Sequence, residues 1–143
     1  MAGAKNRPLS PHLQIWKWGP HMTVSILHRV SGFILASAAM MTLVWFLMAV
    51  SGGEESYTLF QYYVVQAVEG DTFGFIANIF FRLLGVAVTW AFFQHLFSGL
   101  RHLVLDTGAG YELKTNRTWS LVVMFGAMLC TLLLWASAFL NLI

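Results

Sequence analysis

The chain contains three long apolar stretches separated by short polar segments. Residues 30–50 carry no formal charge, and neither do residues 119–143. As helices rising about 1.5 Å per residue, both are long enough to cross a hydrocarbon core of about 30 Å. The middle stretch, 73–105, is interrupted by polar side chains, but its centre at 83–100 is uncharged and near the lower length limit for a span. The pattern therefore predicts three transmembrane helices.

This pattern predicts an all-α integral membrane protein in which three helices form an antiparallel bundle. We expect a single membrane-anchor domain, 1–143, with an N-terminal interfacial segment at 1–22 and helices at 23–50, 73–105 and 118–142. Trp16 and Trp18 flank Lys17, a combination typical of the membrane–water interface.

Composition agrees with a membrane protein. Of the 143 residues, 58% are hydrophobic and 10% charged, whereas soluble domains average about 25% charged residues. The formal net charge is +2 and the basic residues are dispersed, so we expect no nucleic-acid partner. Three spans leave little chain for a soluble catalytic domain, so any soluble chemistry must come from partner subunits.

The distribution of charge predicts the orientation. Residues 51–71 hold four acidic residues and no Lys or Arg, whereas basic residues precede the first and third spans. By the positive-inside rule the N-terminus is cytoplasmic and the C-terminus periplasmic. The first twenty residues lack the apolar run of a secretory signal and the Arg- and Ser-rich character of a transit peptide. The bacterial inner membrane is therefore the simpler location; in the alternative, the mitochondrial inner membrane, the matrix replaces the cytoplasm.

Polar residues within the predicted spans follow two helix faces. Ionisable groups in a span cost roughly 2.5–3.5 kcal/mol on insertion scales, so each is a functional hypothesis that needs a partner. Helical spacing of i, i+4, i+7 and i+11 places four residues of the second span on one stripe, and five residues of the first span share a face. The two sets are His95, Gly99, His102 and Asp106, and Ser25, His28, Arg29, Gly32 and Ala36.

An antiparallel arrangement brings the polar ends of these two faces to similar depth, with His95 about two turns deeper than His28 and His102. A histidine near mid-bilayer beneath cationic groups suits haem, because imidazole binds iron and basic residues meet the propionates. Cys130 is the only cysteine, so a haem would be held non-covalently. We expect no second histidine at the depth of His95, so a bis-histidine haem needs a ligand from a partner.

Each of these residues also has a simpler interpretation. His95 alone is equally compatible with a buried histidine hydrogen-bonded to a neighbouring helix. His28, Arg29 and His102 also fit the role of anchors at the headgroup level. Small residues pack membrane helices generally, so Gly32 and Gly99 suit a packing seam as well as a flat macrocycle.

Two ordered motifs carry a family resemblance. The first is RPLSPHL at 7–13 followed by SILHRVSG at 25–32, and the second is HLFSGLRHLVLD at 95–106. Together with the three-span frame, they resemble the cytochrome b membrane-anchor subunit of succinate dehydrogenase, respiratory complex II. The resemblance implies a haem b-binding anchor of a succinate:ubiquinone oxidoreductase. In that enzyme a flavoprotein subunit oxidises succinate, an iron–sulfur subunit relays electrons, and two membrane-anchor subunits hold haem b in the lipid and reduce ubiquinone.

Carried over by position, the resemblance implies roles for five residues. His95 would be an axial ligand of the haem iron, with the other ligand supplied by the second membrane-anchor subunit. His28 and Arg29 would face the haem propionates, with His102 a weaker candidate. Ser25 and Arg29 would lie at the quinone site near the iron–sulfur subunit. The chain would thus be a subunit of an enzyme without binding the dicarboxylate itself.

Two alternative functions stay open at this point. The first is the anchor of a quinol:fumarate reductase, which runs the reaction in the opposite direction. The second is a non-redox membrane scaffold or transporter component, whose polar faces line a helix seam or a proton path.

Overall fold

The computed structural model describes residues 16–66 and 70–140. Its helices are α1 (Pro20–Ser51), α2 (Glu54–Val64), α3 (Thr72–Asp106) and α4 (Leu113–Phe139), and the described residues contain no strand. Three of these helices, α1, α3 and α4, are long and apolar enough to cross a membrane. The prediction of an all-α protein with three transmembrane helices is therefore confirmed.

Some of the sequence predictions concern parts of the chain outside the described residues. These parts are 1–15, 67–69 and 141–143. They include most of the predicted interfacial segment at 1–22, the whole of the motif at 7–13, and the end of the predicted third helix.

The acidic connection between the first two spans contains a helix, α2, that the hydrophobic pattern did not predict. Gly53 adopts a φ of 86°, which permits the sharp turn between α1 and α2. The aromatic ring of Phe60 is buried against Trp45 and Phe46 of α1, with ring centroids 4.9 and 5.5 Å apart. An 11-residue helix is marginal in isolation, so this aromatic packing accounts for α2.

Hydrogen bonds fasten the far end of α2 to the start of α3. Asn78 of α3 donates from Nδ2 to the carbonyl oxygens of Tyr62 and Tyr63, each at 2.8 Å. Asp71 caps α3 by accepting from the backbone N–H of Phe73 at 3.0 Å, and it also accepts a hydrogen bond from the Tyr62 hydroxyl. The bond to Tyr62 holds the pKa of Asp71 below its usual range and raises the pKa of Tyr62. These bonds therefore hold the end of α2 and Asp71 against the start of α3.

The interior of the bundle is composed of small and polar residues, while large apolar side chains point outward. The buried hydrophobic residues include alanines such as Ala91 and Ala127, and the buried polar ones include Ser31, Ser98 and Ser120. Lipid tails are as apolar as leucine, so membrane helices associate through small residues and interhelical hydrogen bonds. This distribution is the one expected of a bundle that faces lipid.

Helix α3 is the central element of the bundle, since it packs against both α1 and α4, and α1 also contacts α4. With 35 residues it is about 52 Å long. Helix α1 contains a π-helical turn at Leu35–Ala39, where the N–H of Met40 bonds to the carbonyl of Leu35 five residues earlier. The extra residue of such a turn shifts which side chains of the second half of α1 face α3.

The contact between α3 and α4 generates a prediction about glycine packing. A Cβ added at Gly85 would lie 3.0 Å from the ring of Trp135, whereas one at Gly126 would lie an ordinary 3.5 Å from Phe97. Trp135 also donates to the hydroxyl of Thr89 at 3.3 Å. Overpacking costs about 1–3 kcal/mol, and alanine is favoured over glycine in a helix by roughly 0.8–1.0 kcal/mol. We therefore expect Gly85→Ala to lower the thermal unfolding temperature of the detergent-solubilised protein and Gly126→Ala to leave it unchanged or raised. Equal effects of the two substitutions would contradict this packing.

Candidate functional site

Two histidines on different helices form the centre of the site. The imidazole of His28 on α1 stacks on that of His95 on α3, with ring centroids 4.0 Å apart and an interplanar angle of 10°. Both side chains are half-buried. The stack brings together two residues that the sequence singled out on separate helix faces.

The hydrogen bonds of His95 determine which of its nitrogens is free. Its Nδ1 lies 3.1 Å from the backbone carbonyl oxygen of His28 and 3.4 Å from the hydroxyl of Ser31. The carbonyl only accepts, and Ser31 already donates to that same carbonyl at 2.9 Å. Nδ1 must therefore carry the proton and donate. Its Nε2 then holds a lone pair, and no hydrogen bond from residues 16–66 or 70–140 reaches that atom.

His28 is fixed by a serine of the opposite helix. Its Nδ1 lies 2.6 Å from the hydroxyl oxygen of Ser98. Ser98 donates its own hydrogen to backbone carbonyls of α3, those of Gln94 at 2.6 Å and His95 at 3.1 Å. The oxygen of Ser98 therefore accepts from the Nδ1–H of His28. Both imidazoles thus use Nδ1 for positioning within the bundle.

The contacts between α1 and α3 are reciprocal because the same pentapeptide pattern occurs on both helices. Residues 28–32 read HRVSG and residues 95–99 read HLFSG. Packed in opposite directions, each histidine reaches the serine of the other pattern: His28 to Ser98, and His95 to Ser31. Sequence reasoning missed both serines, although the repeated His-x-x-Ser-Gly spacing was the signal that would have identified them.

The two glycines of these patterns lie against the opposite histidines. A Cβ added at Gly32 would be 3.0 Å from Cε1 and 3.3 Å from Nδ1 of His95. A Cβ at Gly99 would be 3.9 Å from Cε1 of His28, which is an ordinary contact. Gly32 therefore makes room for the His95 ring, whereas Gly99 is not required in this way.

The other residues that the sequence singled out lie at the edge of the histidine pair. His102 is exposed and meets His28 edge-on, with ring centroids 5.3 Å apart. Ser25 is half-buried and Arg29 is exposed, one turn apart on α1. The side chains of Ser25 and Arg29 have no hydrogen bond to the histidines among the described residues. The structure thus brings His28, His95 and His102 together in one cluster of rings. Ser25 and Arg29, the other two predicted residues, lie beside this cluster.

One expectation about depth is wrong. The helical pattern predicts His95 about two turns deeper than His28, with no histidine at the same level, but the two rings are in stacking contact. From the helix ends at this side of the bundle, His28 is eight residues beyond Pro20 and His95 eleven residues before Asp106. The difference of three residues corresponds to about 4.5 Å along the axis, which an imidazole side chain can bridge.

The histidine pair fits a group bound at the surface of the chain through a single imidazole. His95 is half-buried and its Nε2 is not enclosed by the chain. A metal ion held outside the chain can therefore approach the lone pair of this nitrogen. Among residues 16–66 and 70–140 no three His, Cys, Asp or Glu side chains are arranged to hold a bare metal ion. A backbone carbonyl that fixes the Nδ1–H of a histidine is the usual partner of a metal-ligating imidazole. The arrangement therefore suits a prosthetic group that contributes most of its own metal ligands.

These features define a class: a three-span membrane protein with a histidine able to ligate a prosthetic group at the surface of its helices. The model for "Succinate dehydrogenase/Fumarate reductase transmembrane subunit" matches residues 3–134. The chain is 36% identical to the succinate dehydrogenase cytochrome b560 subunit of Reclinomonas americana over 91% of its length and 85% of the relative. It is 34% identical to the b556 subunit of Rickettsia felis, covering 90% of each, and 34% identical to the b560 subunit of Marchantia polymorpha, covering 90% and 88%.

The chain belongs to the family of succinate dehydrogenase/fumarate reductase transmembrane subunits, the membrane anchors of complex II. It is therefore a membrane subunit of an enzyme complex and acts together with other subunits. Its three spans, and relatives from bacteria and from eukaryotes, indicate a bacterial or mitochondrial inner membrane. Cytochrome b is part of the relatives' names, which supports haem b as the prosthetic group.

The two glycines generate a matched prediction. Gly32→Ala should displace the His95 ring, because the added methyl group would lie 3.0 Å from it, whereas Gly99→Ala leaves ordinary contact with His28. In the purified complex we expect Gly32→Ala to shift the position or intensity of the b-type absorption bands. Gly99→Ala should leave them close to wild type. A shift of equal size in both variants, or in neither, would show that the Gly32 contact does not position His95.

Proposed function

We propose that the chain is a haem b-binding membrane-anchor subunit of succinate:ubiquinone oxidoreductase, with His95 as an axial ligand of the haem iron. The observation that carries this proposal is the hydrogen bond from Nδ1 of His95 to the carbonyl of His28. This bond selects the tautomer in which Nε2 is the ligating atom and fixes the direction of its lone pair. When bound, the haem supplies a one-electron carrier beside the quinone site.

The second axial ligand comes from the other membrane-anchor subunit. Among the described residues the imidazole stacked on His95 is that of His28, and the two nearly parallel rings have centroids 4.0 Å apart. The lone pair of an imidazole nitrogen lies in the plane of its ring, so two stacked rings do not point at one iron from opposite sides. In this proposal a second histidine ligand would therefore come from a partner chain. In this proposal the haem is shared across the interface of the two anchors.

Cationic and hydrogen-bonding groups beside His95 would receive the haem propionates. His28 lies against His95, and His102 meets His28 edge-on. Arg29 follows His28 in sequence, is exposed, and carries a guanidinium that binds carboxylates in a bidentate manner. The guanidinium of Arg29 offers positive charge toward the membrane surface, where carboxylates are solvated more easily.

Ser25 and Arg29 would form this chain's part of the quinone site. They are one helical turn apart on α1, at the same end of the bundle as the histidines. The hydroxyl of Ser25 and the guanidinium of Arg29 can both donate hydrogen bonds to a quinone carbonyl oxygen. That oxygen gains negative charge during reduction, and fixed donors stabilise such charge. Ubiquinone is the substrate in this proposal.

The remaining chemistry belongs to partner subunits. A flavoprotein subunit would oxidise succinate, and an iron–sulfur subunit would deliver electrons to the quinone. The exposed end of the bundle near Arg29 would face the iron–sulfur subunit. By the positive-inside rule, that end lies on the cytoplasmic side of a bacterial membrane or the matrix side of a mitochondrial one.

Replacing the proposed ligand tests the haem site. We expect His95→Ala to reduce or alter the b-type absorbance per purified complex, because the free Nε2 is lost, while the spans still insert. His21→Ala is the control, since His21 is a histidine of α1 that is exposed and lies outside the stacked pair. A reduced-minus-oxidised spectrum provides the measurement. An unchanged haem spectrum in the His95 variant would remove His95 from the ligand role.

Quinone reduction tests the second part of the proposal. Arg29→Ala should depress electron transfer from succinate to a ubiquinone analogue much more than succinate oxidation by a soluble artificial acceptor. Losing one charge-assisted hydrogen bond is worth about 1.5–3 kcal/mol, which corresponds to a loss of roughly ten- to a hundredfold. Arg82→Ala is the control. It removes an exposed arginine from the half of α3 that does not contain His95, and it should affect neither activity. Equal losses of both activities in the Arg29 variant would contradict this site.

A further inference from the structure

A second site lies on the opposite side of α3 from the histidines. Between α3 and α4 there is a cavity of about 350 Å³, near the end where residues 107–112 connect the two helices. This volume falls within the range of about 300–1,000 Å³ typical of ligand pockets. Its walls are almost entirely apolar, with side chains such as Phe97, Val104 and Trp119, and its polar members are Arg101 and Asn116.

The guanidinium of Arg101 in the wall of this cavity has no counter-ion among residues 16–66 and 70–140. The residue is 9% exposed, and among the described residues its one hydrogen bond goes to the neutral side-chain oxygen of Asn116. Its Nε is buried and has no hydrogen-bond partner in that part of the chain. Arginine keeps its charge in proteins and has five N–H donors. A buried charge with so few partners carries a large desolvation cost. An anion bound at Arg101 would offset this cost.

We propose that this cavity binds a phospholipid, with its phosphate at Arg101 and an acyl chain along the apolar wall. The guanidinium matches the geometry of phosphate oxygens, which would occupy the free Nε–H. The rest of the cavity is too apolar to be filled by the phosphate group alone. A quinone would suit the apolar wall but carries no negative charge for Arg101. The ligand is therefore an amphiphile with an anionic head.

The location agrees with a lipid site. Trp119 lines the cavity within two turns of Lys114 and Arg117, and such aromatic and basic residues mark the membrane surface. Arg101 lies six positions after His95, which puts their side chains about 120° apart around α3. The lipid site is thus separate from the proposed haem ligand, and its existence does not depend on that assignment.

Retention of lipid by the purified complex tests the proposal. We expect Arg101→Gln to lower the affinity for phospholipid roughly tenfold or more, since one partner of a buried charge pair is removed. After washing with lipid-free detergent, extracted phospholipid per complex should fall in this variant. Arg117→Gln, which removes an exposed charge at the same end of the bundle, should retain the wild-type amount. Equal retention in the two variants would overturn the proposal.

A measurement on the wild-type chain keeps the test valid if Arg101→Gln fails to fold. Phosphatidylglycerol with brominated acyl chains should quench a tryptophan fluorescence component that is missing in Trp119→Phe, because Trp119 lines the cavity. Brominated diacylglycerol, which has no phosphate, should quench it only at much higher concentration. Equal quenching by the two lipids would show an apolar groove without an anion site. Complete displacement of the brominated phospholipid by excess inorganic phosphate would show an anion site that does not select lipid. Either result would overturn the proposal.

Discussion

The hydrogen bond between Nδ1 of His95 and the carbonyl of His28 is the interaction on which the rest of the site depends. In a lipid environment no water is available to satisfy a polar group, so a histidine within a span must find its partners inside the bundle. The partners of His95 lie on α1 and are the backbone carbonyl of His28 and the hydroxyl of Ser31. Because both contacts use the same nitrogen, Nε2 has no hydrogen-bond partner among residues 16–66 and 70–140.

The reciprocal pattern of α1 and α3 explains why these partners are in reach. Two His-x-x-Ser-Gly pentapeptides in antiparallel helices place each histidine beside the serine and glycine of the other. Gly32 permits the close approach of the His95 ring, and both serines donate their hydroxyl hydrogens to backbone carbonyls. The two halves are not equivalent, since Gly32 touches His95 at 3.0 Å and Gly99 is 3.9 Å from His28. This asymmetry is consistent with His95 being the more closely held ring.

The same central helix carries two kinds of polar residue on different faces. Toward α1 it presents His95 and Ser98, whose polar groups are held by hydrogen bonds. Toward α4 it presents Arg101, whose charge is only partly satisfied. An internal hydrogen bond lowers the free-energy cost of placing a polar group in lipid. A buried charge without such a partner is more costly, and a partner from outside the chain would lower that cost. The face of α3 toward α1 therefore carries the residues of the proposed haem site, and the face toward α4 carries those of the proposed lipid site.

The sequence by itself determined the three spans, because a run of about 20 apolar residues has few stable alternatives to a transmembrane helix. It also singled out His28, His95 and His102, since ionisable groups are conspicuous in such runs. Only the tertiary structure decided that His28 and His95 stack, that Ser31 and Ser98 hold them, and that residues 54–64 form a helix. These features depend on how far one helix slides along another and on aromatic contacts between segments distant in the chain. Helical periodicity gives the face of each residue but not the register between helices, which is set by packing.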